Sequence, residues 1–199
     1  MDNPELIEQL KRAQTLGFLG PVPVQDHIAH SAGFLEALEG LEHGRVADLG
    51  SGGGVPGLIV ASARPDLHLV LIDATAKRCR FLEEAVAALD LDAEVVEGRA
   101  EVLGRGALRA TFDAVLARSF GPPAATAECG SPLLHVGGEL MVSEPPQDDQ
   151  RWPAEVSQLG LEVGRRVGST PVVQTLRQAT LCPERFPRRD GLPAKRPLF

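Results

Sequence analysis

The residues of this chain with the clearest chemical potential are two carboxylates and a group of glycines. Residues 46–57 read VADLGSGGGVPG, an apolar run that ends in Asp48 and continues into a glycine-rich bend. Because glycine lacks a Cβ and tolerates positive φ angles, such a bend lets main-chain amides approach a ligand between a strand and a helix. A second apolar run ends in Asp73, whose carboxylate can accept hydrogen bonds from ribose hydroxyls. The pattern predicts a nucleotide-binding site.

The glycines alone fit more than one class of ligand. Gly52, Gly54 and Gly57 have the spacing of a dinucleotide fingerprint, and an S-adenosylmethionine site uses a similar bend. Asp48 favours the second ligand, because a carboxylate at this point can face the ammonium of an amino-acid group and would repel a pyrophosphate. A third interpretation, a glycine turn that serves chain geometry alone, accounts less well for acids at both strand ends.

Short β-type segments that alternate with amphipathic segments predict the elements around this bend. Residues 69–72 and 114–117 are apolar on both faces, as buried strands of a parallel sheet must be. The order of segments predicts a doubly wound α/β sheet with helical crossovers. The predicted strands cover residues 45–49, 68–73, 93–97, 112–117 and 136–142, and the predicted helices cover residues 56–64, 76–89, 100–104, 122–134 and 152–160.

Both ends of the chain depart from this alternation. Apolar residues at helical spacing predict two helices, over residues 6–16 and 25–41, that flank the sheet. Residues 161–167 and 172–181 alternate apolar and polar side chains and predict an antiparallel hairpin. This hairpin and the lack of a separate substrate domain favour a Rossmann-like class I methyltransferase that uses S-adenosylmethionine over a nicotinamide oxidoreductase.

Composition limits the class of protein further. With 199 residues, of which 43% are hydrophobic and 24% charged, the chain is long enough to bury one substantial core. Its first residues lack a basic leader, and no apolar run approaches the roughly 18 residues of a membrane span, so we expect a cytoplasmic protein with no membrane partner. Cys79, Cys129 and Cys182 lack metal-ligand spacing and predict reduced thiols and no metal site.

The chain divides into three parts on these grounds. We assign residues 1–44 to an N-terminal helical extension, residues 45–182 to a cofactor-binding domain and residues 183–199 to a basic tail. The tail carries a local charge of +3, whereas the whole chain carries a net charge of −7, which argues against a general nucleic-acid binder. A basic tail beside a cofactor crevice can hold RNA phosphates, although a merely solvated tail would have the same composition.

Several motifs in order resemble those of one family, the RsmG (GidB) family. Its members methylate N7 of a guanine in bacterial small-subunit ribosomal RNA, which implies ribosomal RNA or the small ribosomal subunit as partner. The similar segments are DLGSGGGVPG at residues 48–57, LIDATAKRCRFL at 71–82, GRAE at 98–101, FDAVLARS at 112–119 and FPRRDGLPAKRPL at 186–198.

The resemblance also implies a set of site residues. Arg118 would lie beside the cofactor at the mouth of the substrate site and is the candidate catalytic residue, although a structural ion pair is an equal alternative. Ala100 and Glu101 would meet the adenine, unless Glu101 is only a favourable acid at a helix N-terminus. The implied cofactor-binding set is Asp48, Gly50, Gly52, Gly54, Val55, Asp73, Ala100, Glu101 and Arg118, and the implied RNA contacts are Arg188, Arg189 and Lys195.

The reaction that this resemblance implies needs no general base. Guanine N7 carries a lone pair and no proton, so its methylation needs alignment and no general base. Consistent with this, the chain has no Asn-Pro-Pro-aromatic motif of amino-group methyltransferases after residue 117, and Cys129 is expected to be a small core residue.

Two features depart from the family pattern. Family members carry a lysine-glycine pair after the strand at 136–142, where this chain reads Ser-Glu-Pro-Pro at 143–146, so an acid stands where a cation is expected. The N-terminal region shows His27 and His30, which we interpret as interhelix or solvent residues because nothing completes a metal site. A different methyl acceptor, a small molecule or another RNA, and a non-catalytic S-adenosylmethionine-binding module therefore stay open.

Overall fold

In a computed structural model that describes residues 3–145, 151–168 and 171–199, the chain folds around a seven-stranded mixed sheet. The strands lie in the order β3-β2-β1-β4-β5-β7-β6. They are β1 (Gly44–Leu49), β2 (Leu67–Asp73), β3 (Ala93–Glu97), β4 (Phe112–Ala117), β5 (Leu134–Glu144), β6 (Leu161–Val167) and β7 (Val172–Gln178). The helices are α1 (Pro4–Thr15), α2 (Val24–His30), α3 (Ala32–Ala37), α4 (Gly57–Ala63), α5 (Ala76–Ala88), α6 (Ala100–Leu103), α7 (Pro123–Gly130) and α8 (Leu192–Lys195).

The first five strands are parallel and confirm the predicted doubly wound sheet. β1 pairs with β2 on one side and with β4 on the other, so the direction of winding reverses between β1 and β4. The side chains of Val46, Ala47, Val115 and Leu116 are fully buried because helices cover both faces. In such sheets ligands bind at the carboxyl ends of the strands beside this reversal, which is where the glycine-rich bend follows β1.

The last three strands confirm the predicted antiparallel end of the sheet. β7 pairs antiparallel with β5 and with β6, which is the edge strand. β7 ends at Gln178, three residues before the predicted end. Buried Gln178 explains this limit, because its side-chain amide donates to the main-chain oxygens of Leu159 and Thr180 and so holds the chain in a turn.

The N-terminal helices flank the sheet as predicted, but the second one is two helices. α2 ends at His30 and α3 begins at Ala32. Ser31 lies between them, and its hydroxyl donates to the main-chain oxygen of His27 at 3.1 Å. Serine side chains that hydrogen-bond to the preceding turn compete with the regular helix, so the prediction of one helix over 25–41 was wrong at this residue.

Two further boundaries differ from the prediction. α7 stops at Gly130 and a 3-10 turn, Ser131–Leu133, leads directly into β5, which begins two residues before the predicted strand. Pro132 accounts for the early stop, because proline has no N–H to continue the helical hydrogen bonds. The segment Ala154–Leu159 is a 3-10 helix where an α-helix over 152–160 was expected.

The C-terminal residues are packed onto the domain. Phe186 is buried, and Leu198 and Phe199 pack against the main apolar cluster of the sheet. α8 in this tail contacts α7, and Pro193 lies near Ala74, which follows the carboxyl end of β2. Among the residues that the structure describes, no helix is long and apolar enough to span a membrane.

Candidate functional site

A cavity of about 420 Å³ opens at the carboxyl end of β1, and we call it the glycine-loop cavity. Gly50, Gly52 and Val55 line one wall, and Phe18 and His27 from the N-terminal region line the opposite one. The predicted cofactor-binding bend is thus open on one side. The N-terminal helices, which sequence analysis treated as an extension, help to enclose it.

The bend depends on glycine at two positions for different reasons. Gly50 has a φ of +76°, and a Cβ there would lie 2.8 Å from the Phe120 ring. Gly52 has a φ of +53°, and a Cβ there would meet nothing closer than 3.7 Å. Gly50 therefore accommodates a packed aromatic ring, whereas Gly52 leaves a bare stretch of main chain that faces the cavity. Gly54 does not line the cavity, because it packs against Leu58 of α4.

Asp48 lies behind the bend and not in the cavity. Its side chain is buried, and Oδ2 accepts a hydrogen bond from the amide of Gly57 at 3.1 Å. Burial raises the pKa of Asp48 to about 7, against the opposing effects of the Gly57 amide and the charge of Arg118. Asp48 does not line the cavity, and its carboxyl group fixes the bend to the start of α4. This geometry does not support a direct contact with a ligand ammonium, which stays a prediction.

Asp73 supports the same bend from the end of β2. Its Oδ2 accepts from the Gly52 amide at 3.0 Å, and its Oδ1 accepts from the Thr75 amide at 2.9 Å. Arg78 lies 3.6 Å from Oδ2. Asp73 is buried and does not line the glycine-loop cavity, so its expected hydrogen bond to a ribose hydroxyl stays a prediction. The residue that was expected to bind a ribose sets the position of Gly52.

Arg118 and His27 meet at the mouth of the glycine-loop cavity. Nη2 of Arg118 lies 2.9 Å from Nδ1 of His27, and Nε2 of His27 lies 3.1 Å from the main-chain oxygen of Gly20. Burial lowers the pKa of Arg118, while the nearby Asp48 acts in the opposite sense. His27 is buried, so its interpretation as an ordinary interhelix or solvent residue missed its contact with a candidate catalytic side chain.

A second cavity of about 270 Å³, the α6 cavity, adjoins the ends of β2 and β3. Ala100, Glu101 and Cys129 line it, together with Pro193 from the C-terminal tail. Oε1 of Glu101 accepts from the Gly191 amide at 2.9 Å, so this acid joins the tail to the cavity wall. The cavity contains the two residues that were expected near an adenine.

All three cysteines are buried and free, which confirms the predicted thiols.

The tail cations have different environments. Arg188 forms a bidentate pair with Glu128, with Nε and Nη2 at 2.6–3.0 Å from its oxygens, and the carboxylate is completely buried. Arg189 and Lys195 are exposed. The guanidinium of Arg188 is therefore engaged by Glu128, while 24% of its side chain stays exposed, and its expected RNA contact stays a prediction. Arg189 and Lys195 are accessible to an RNA.

A third cavity of about 320 Å³, the β5 cavity, lies beyond the ends of β4 and β5. Ser119, Phe120, Glu144 and Trp152 are among its lining residues. Glu144, the acid that replaces the family's lysine, accepts from Arg151 Nη1 at 2.8 Å and from Trp152 Nε1 at 2.9 Å. The sequence showed that an acid stands where a cation was expected, but it did not show these two partners. Trp152 is the single tryptophan of the sequence, and this was the signal that could have drawn attention to it.

The residues around the first two cavities fit S-adenosylmethionine. The bare main chain at Gly52 admits the close approach of a ligand, and the buried carboxylate of Asp73 holds the Gly52 amide in position. The α6 cavity offers apolar walls of a size suited to a flat ring. Among the described residues, no group of three histidine, cysteine or acidic side chains is placed to hold a metal ion.

Comparison with known proteins gives a consistent family. Residues 23–161 match the family GidB, described as rRNA small subunit methyltransferase G. A ribosomal RNA small subunit methyltransferase G of Rubrobacter xylanophilus is 35% identical, and the alignment covers 97% of this chain and 80% of the relative. The protein of the same name from Roseiflexus castenholzii is 37% identical over 78% of this chain and 71% of the relative.

Solved structures show the same fold at lower identity. A putative methyltransferase, yhhF from Escherichia coli, has a TM-score of 0.58 at 16% identity, covering 76% of this chain and 88% of that one. TYW2 of P. horikoshii, solved in complex with MeSAdo, has a TM-score of 0.57 at 14% identity, covering 80% and 63%. Together with the family match, these findings identify the chain as a member of the GidB family and as an S-adenosylmethionine-dependent methyltransferase with a Rossmann-like class I fold.

Proposed function

We propose that this methyltransferase modifies N7 of a guanine in small-subunit ribosomal RNA. The observation that carries the proposal is the family match over residues 23–161, together with relatives that are named for the small subunit RNA and align along most of this chain. The three cavities support it, because they adjoin one another along the carboxyl ends of β1, β2, β4 and β5.

The proposed cofactor site spans the glycine-loop cavity and the α6 cavity. Gly50, Gly52 and Val55 would hold the methionine and ribose region, with Asp73 as the ribose acceptor. Ala100 and Glu101 would border the adenine. Arg118 would stand where the cofactor and the substrate meet, held by His27 at 2.9 Å.

In this reaction the main task of the protein is to align the methyl group of the cofactor with N7 of the guanine. The cofactor supplies a methyl group on a positively charged sulfur, and guanine N7 supplies the lone pair that forms the new bond. No residue of this chain has to remove a proton, because N7 carries none. Arg118, which burial and His27 hold in place, orients the reactants at the mouth of the cavity.

The substrate side offers exposed cations that suit a phosphate backbone. Arg189 and Lys195 lie on the same tail whose Pro193 lines the α6 cavity. An RNA that reached the cofactor would therefore pass close to them. Glu144 does not present an uncompensated negative charge to the RNA, because its two carboxylate oxygens accept hydrogen bonds from Arg151 and Trp152.

Methyl transfer to ribosomal subunits tests the proposal. The protein is incubated with labelled S-adenosylmethionine and small subunits from a strain that lacks any RsmG-type enzyme, and the labelled nucleotide is mapped by cleavage at N7-methylguanine. We expect label at a single guanine. Binding of S-adenosylhomocysteine with no transfer to the subunit or its RNA would contradict the proposed acceptor and favour another acceptor or a binding module.

A further inference from the structure

The β5 cavity lies next to the place where the methyl group must be delivered. Ser119 at the end of β4 lines both this cavity and the glycine-loop cavity, and Phe120 lines both this cavity and the α6 cavity. A flat group in the β5 cavity would therefore adjoin both parts of the proposed cofactor site. Its volume of about 320 Å³ falls within the roughly 300–1,000 Å³ that is usual for small-ligand pockets.

One wall of the β5 cavity is an aromatic side chain in a fixed orientation. Trp152 packs against the main apolar cluster, and its Nε1 donates to Oε1 of Glu144 at 2.9 Å. The other carboxylate oxygen accepts from Arg151 at 2.8 Å, and the Glu144 side chain is only 1% exposed. If the indole rotated, the buried Oε1 of Glu144 would lose its hydrogen-bond donor. Leaving a buried carboxylate oxygen without a donor costs free energy, so this hydrogen bond fixes the orientation of the indole ring.

The other lining residues suit a nucleobase better than an apolar ligand. Phe120 supplies a second ring, Ser143 a hydroxyl group and His30 an imidazole. The buried Thr126 hydroxyl also lines the cavity and already donates to the main-chain oxygen of Gly121. Proteins that bind single-stranded RNA stack unpaired bases on aromatic side chains and hydrogen-bond their edges. Enzymes that modify a base also extrude it from its stack into such a pocket.

We propose that the β5 cavity is the pocket for the target guanine, and that Trp152, positioned by Glu144, is the wall on which the base stacks. This inference rests on the proposed function, because it takes the guanine as methyl acceptor. It gives the acid at residue 144 a role: Glu144 is a positioning residue that acts through the indole and does not itself contact the base.

Methyl transfer by variants tests the role of Trp152. We expect Trp152→Ala to lower kcat/KM for small subunits at least tenfold, with unchanged S-adenosylhomocysteine affinity by calorimetry, and Trp152→Phe to restore part of the loss. Val136→Ala, an exposed position at the opposite end of β5, is the matched control. Full activity in Trp152→Ala while the wild type is active would overturn this inference and leave the proposed function intact.

Fluorescence tests the pocket independently of turnover. The chain has one tryptophan and no tyrosine, so its emission reports on Trp152 alone. With S-adenosylhomocysteine at saturation, guanosine monophosphate or a short guanine-containing RNA should quench this emission. Glu144→Gln keeps an oxygen that can accept from the indole and should retain the quenching, whereas Glu144→Ala should weaken it.

The outcomes separate the two proposals. Absence of quenching by both probes in the wild type would overturn the base pocket whether or not the protein methylates RNA. Quenching without transfer to any ribosomal RNA would support the pocket and contradict the proposed acceptor.

Discussion

Nη2 of Arg118 lies 2.9 Å from Nδ1 of His27, while Nε2 of the same ring lies 3.1 Å from the main-chain oxygen of Gly20. Arginine can only donate, so Nδ1 accepts, and the proton of a neutral His27 must then lie on Nε2. This pair joins α2 to the end of β4 across the mouth of the glycine-loop cavity. The N-terminal helices thereby hold the candidate catalytic side chain in place.

Replacement of His27 by alanine should therefore impair methyl transfer. The loss of a hydrogen bond to a charged group corresponds to about a 10- to 100-fold reduction in kcat/KM if Arg118 then leaves its position. Steady-state assays with small subunits measure it, and His68→Ala on a half-exposed side chain of β2 serves as control. Equal kcat/KM for His27→Ala and the wild type would refute a positioning role.

Gly50→Ala should disrupt the bend at β1. An alanine at this position would have to adopt the positive φ of +76°, which strains a residue with a side chain. Its Cβ would also lie 2.8 Å from the Phe120 ring, so either the ring or the bend must shift. We expect a destabilisation of about 1–3 kcal/mol and weaker S-adenosylhomocysteine binding. Gly40→Ala is the control, since its added Cβ meets nothing within 4 Å and its φ is not positive. Indistinguishable melting and binding curves for both variants would count against this geometry.

Asp73→Ala should weaken cofactor binding through two losses at once. The variant removes the proposed ribose acceptor and also the acceptor for the Gly52 amide. We expect about a 10- to 100-fold increase in the calorimetric Kd for S-adenosylhomocysteine, the range for hydrogen bonds to a charged group. Asp73→Asn, which keeps one acceptor oxygen, should lose less. Unchanged affinity in Asp73→Ala would show that the cofactor does not depend on the end of β2.

Asp48 predicts a specific dependence of stability on pH. Its pKa is raised by burial from 3.8 to about 7, so the folded state favours the protonated form. That contribution is fully present below pH 4 and is lost as the pH rises through about 7. Between pH 5 and 8 the Tm of the wild type should fall relative to that of Asp48→Asn, whose side chain stays neutral, by about 2–4 °C for each kcal/mol lost. Parallel melting profiles for the two proteins would contradict the raised pKa.

The tail arginines should separate stability from RNA binding. Arg188→Ala leaves the buried carboxylate of Glu128 without its partner and should cost about 3–5 kcal/mol in the free energy of unfolding, measured in denaturant. Arg189→Ala changes an exposed side chain and should leave stability unchanged, while it weakens RNA binding and reduces the salt slope by about one. The reverse result, a stable Arg188→Ala variant with poor RNA binding, would support the RNA contact that the family resemblance implied for Arg188.

The sheet could be predicted from the sequence because its signals are local. A strand that is buried on both faces appears in the sequence as a run of apolar residues, and this pattern predicted β1 and β2. Alternation of apolar and polar residues predicted the β6–β7 hairpin at the edge of the sheet. The break at Ser31 was missed because the competing bond from its hydroxyl to the His27 oxygen leaves the apolar spacing of the helix unchanged.

The site could be predicted only in part, because its residues are brought together by distant segments. Gly50 and Asp73 follow strand ends and could be located from the order of elements. The pairing of Arg118 with His27 joins residues that are 91 positions apart, and that of Arg188 with Glu128 joins residues 60 apart. Charge and spacing do not reveal such partners, so the sequence did not show that Arg188 neutralises a buried acid.

A crystal structure of the protein with S-adenosylhomocysteine would show whether the glycine-loop cavity and the α6 cavity together form the cofactor site. We expect the amino-acid end of the ligand in the glycine-loop cavity beside Gly52 and Arg118, the ribose near Asp73 and the adenine in the α6 cavity beside Ala100. A ligand bound elsewhere, or both cavities empty at saturating ligand, would contradict this arrangement.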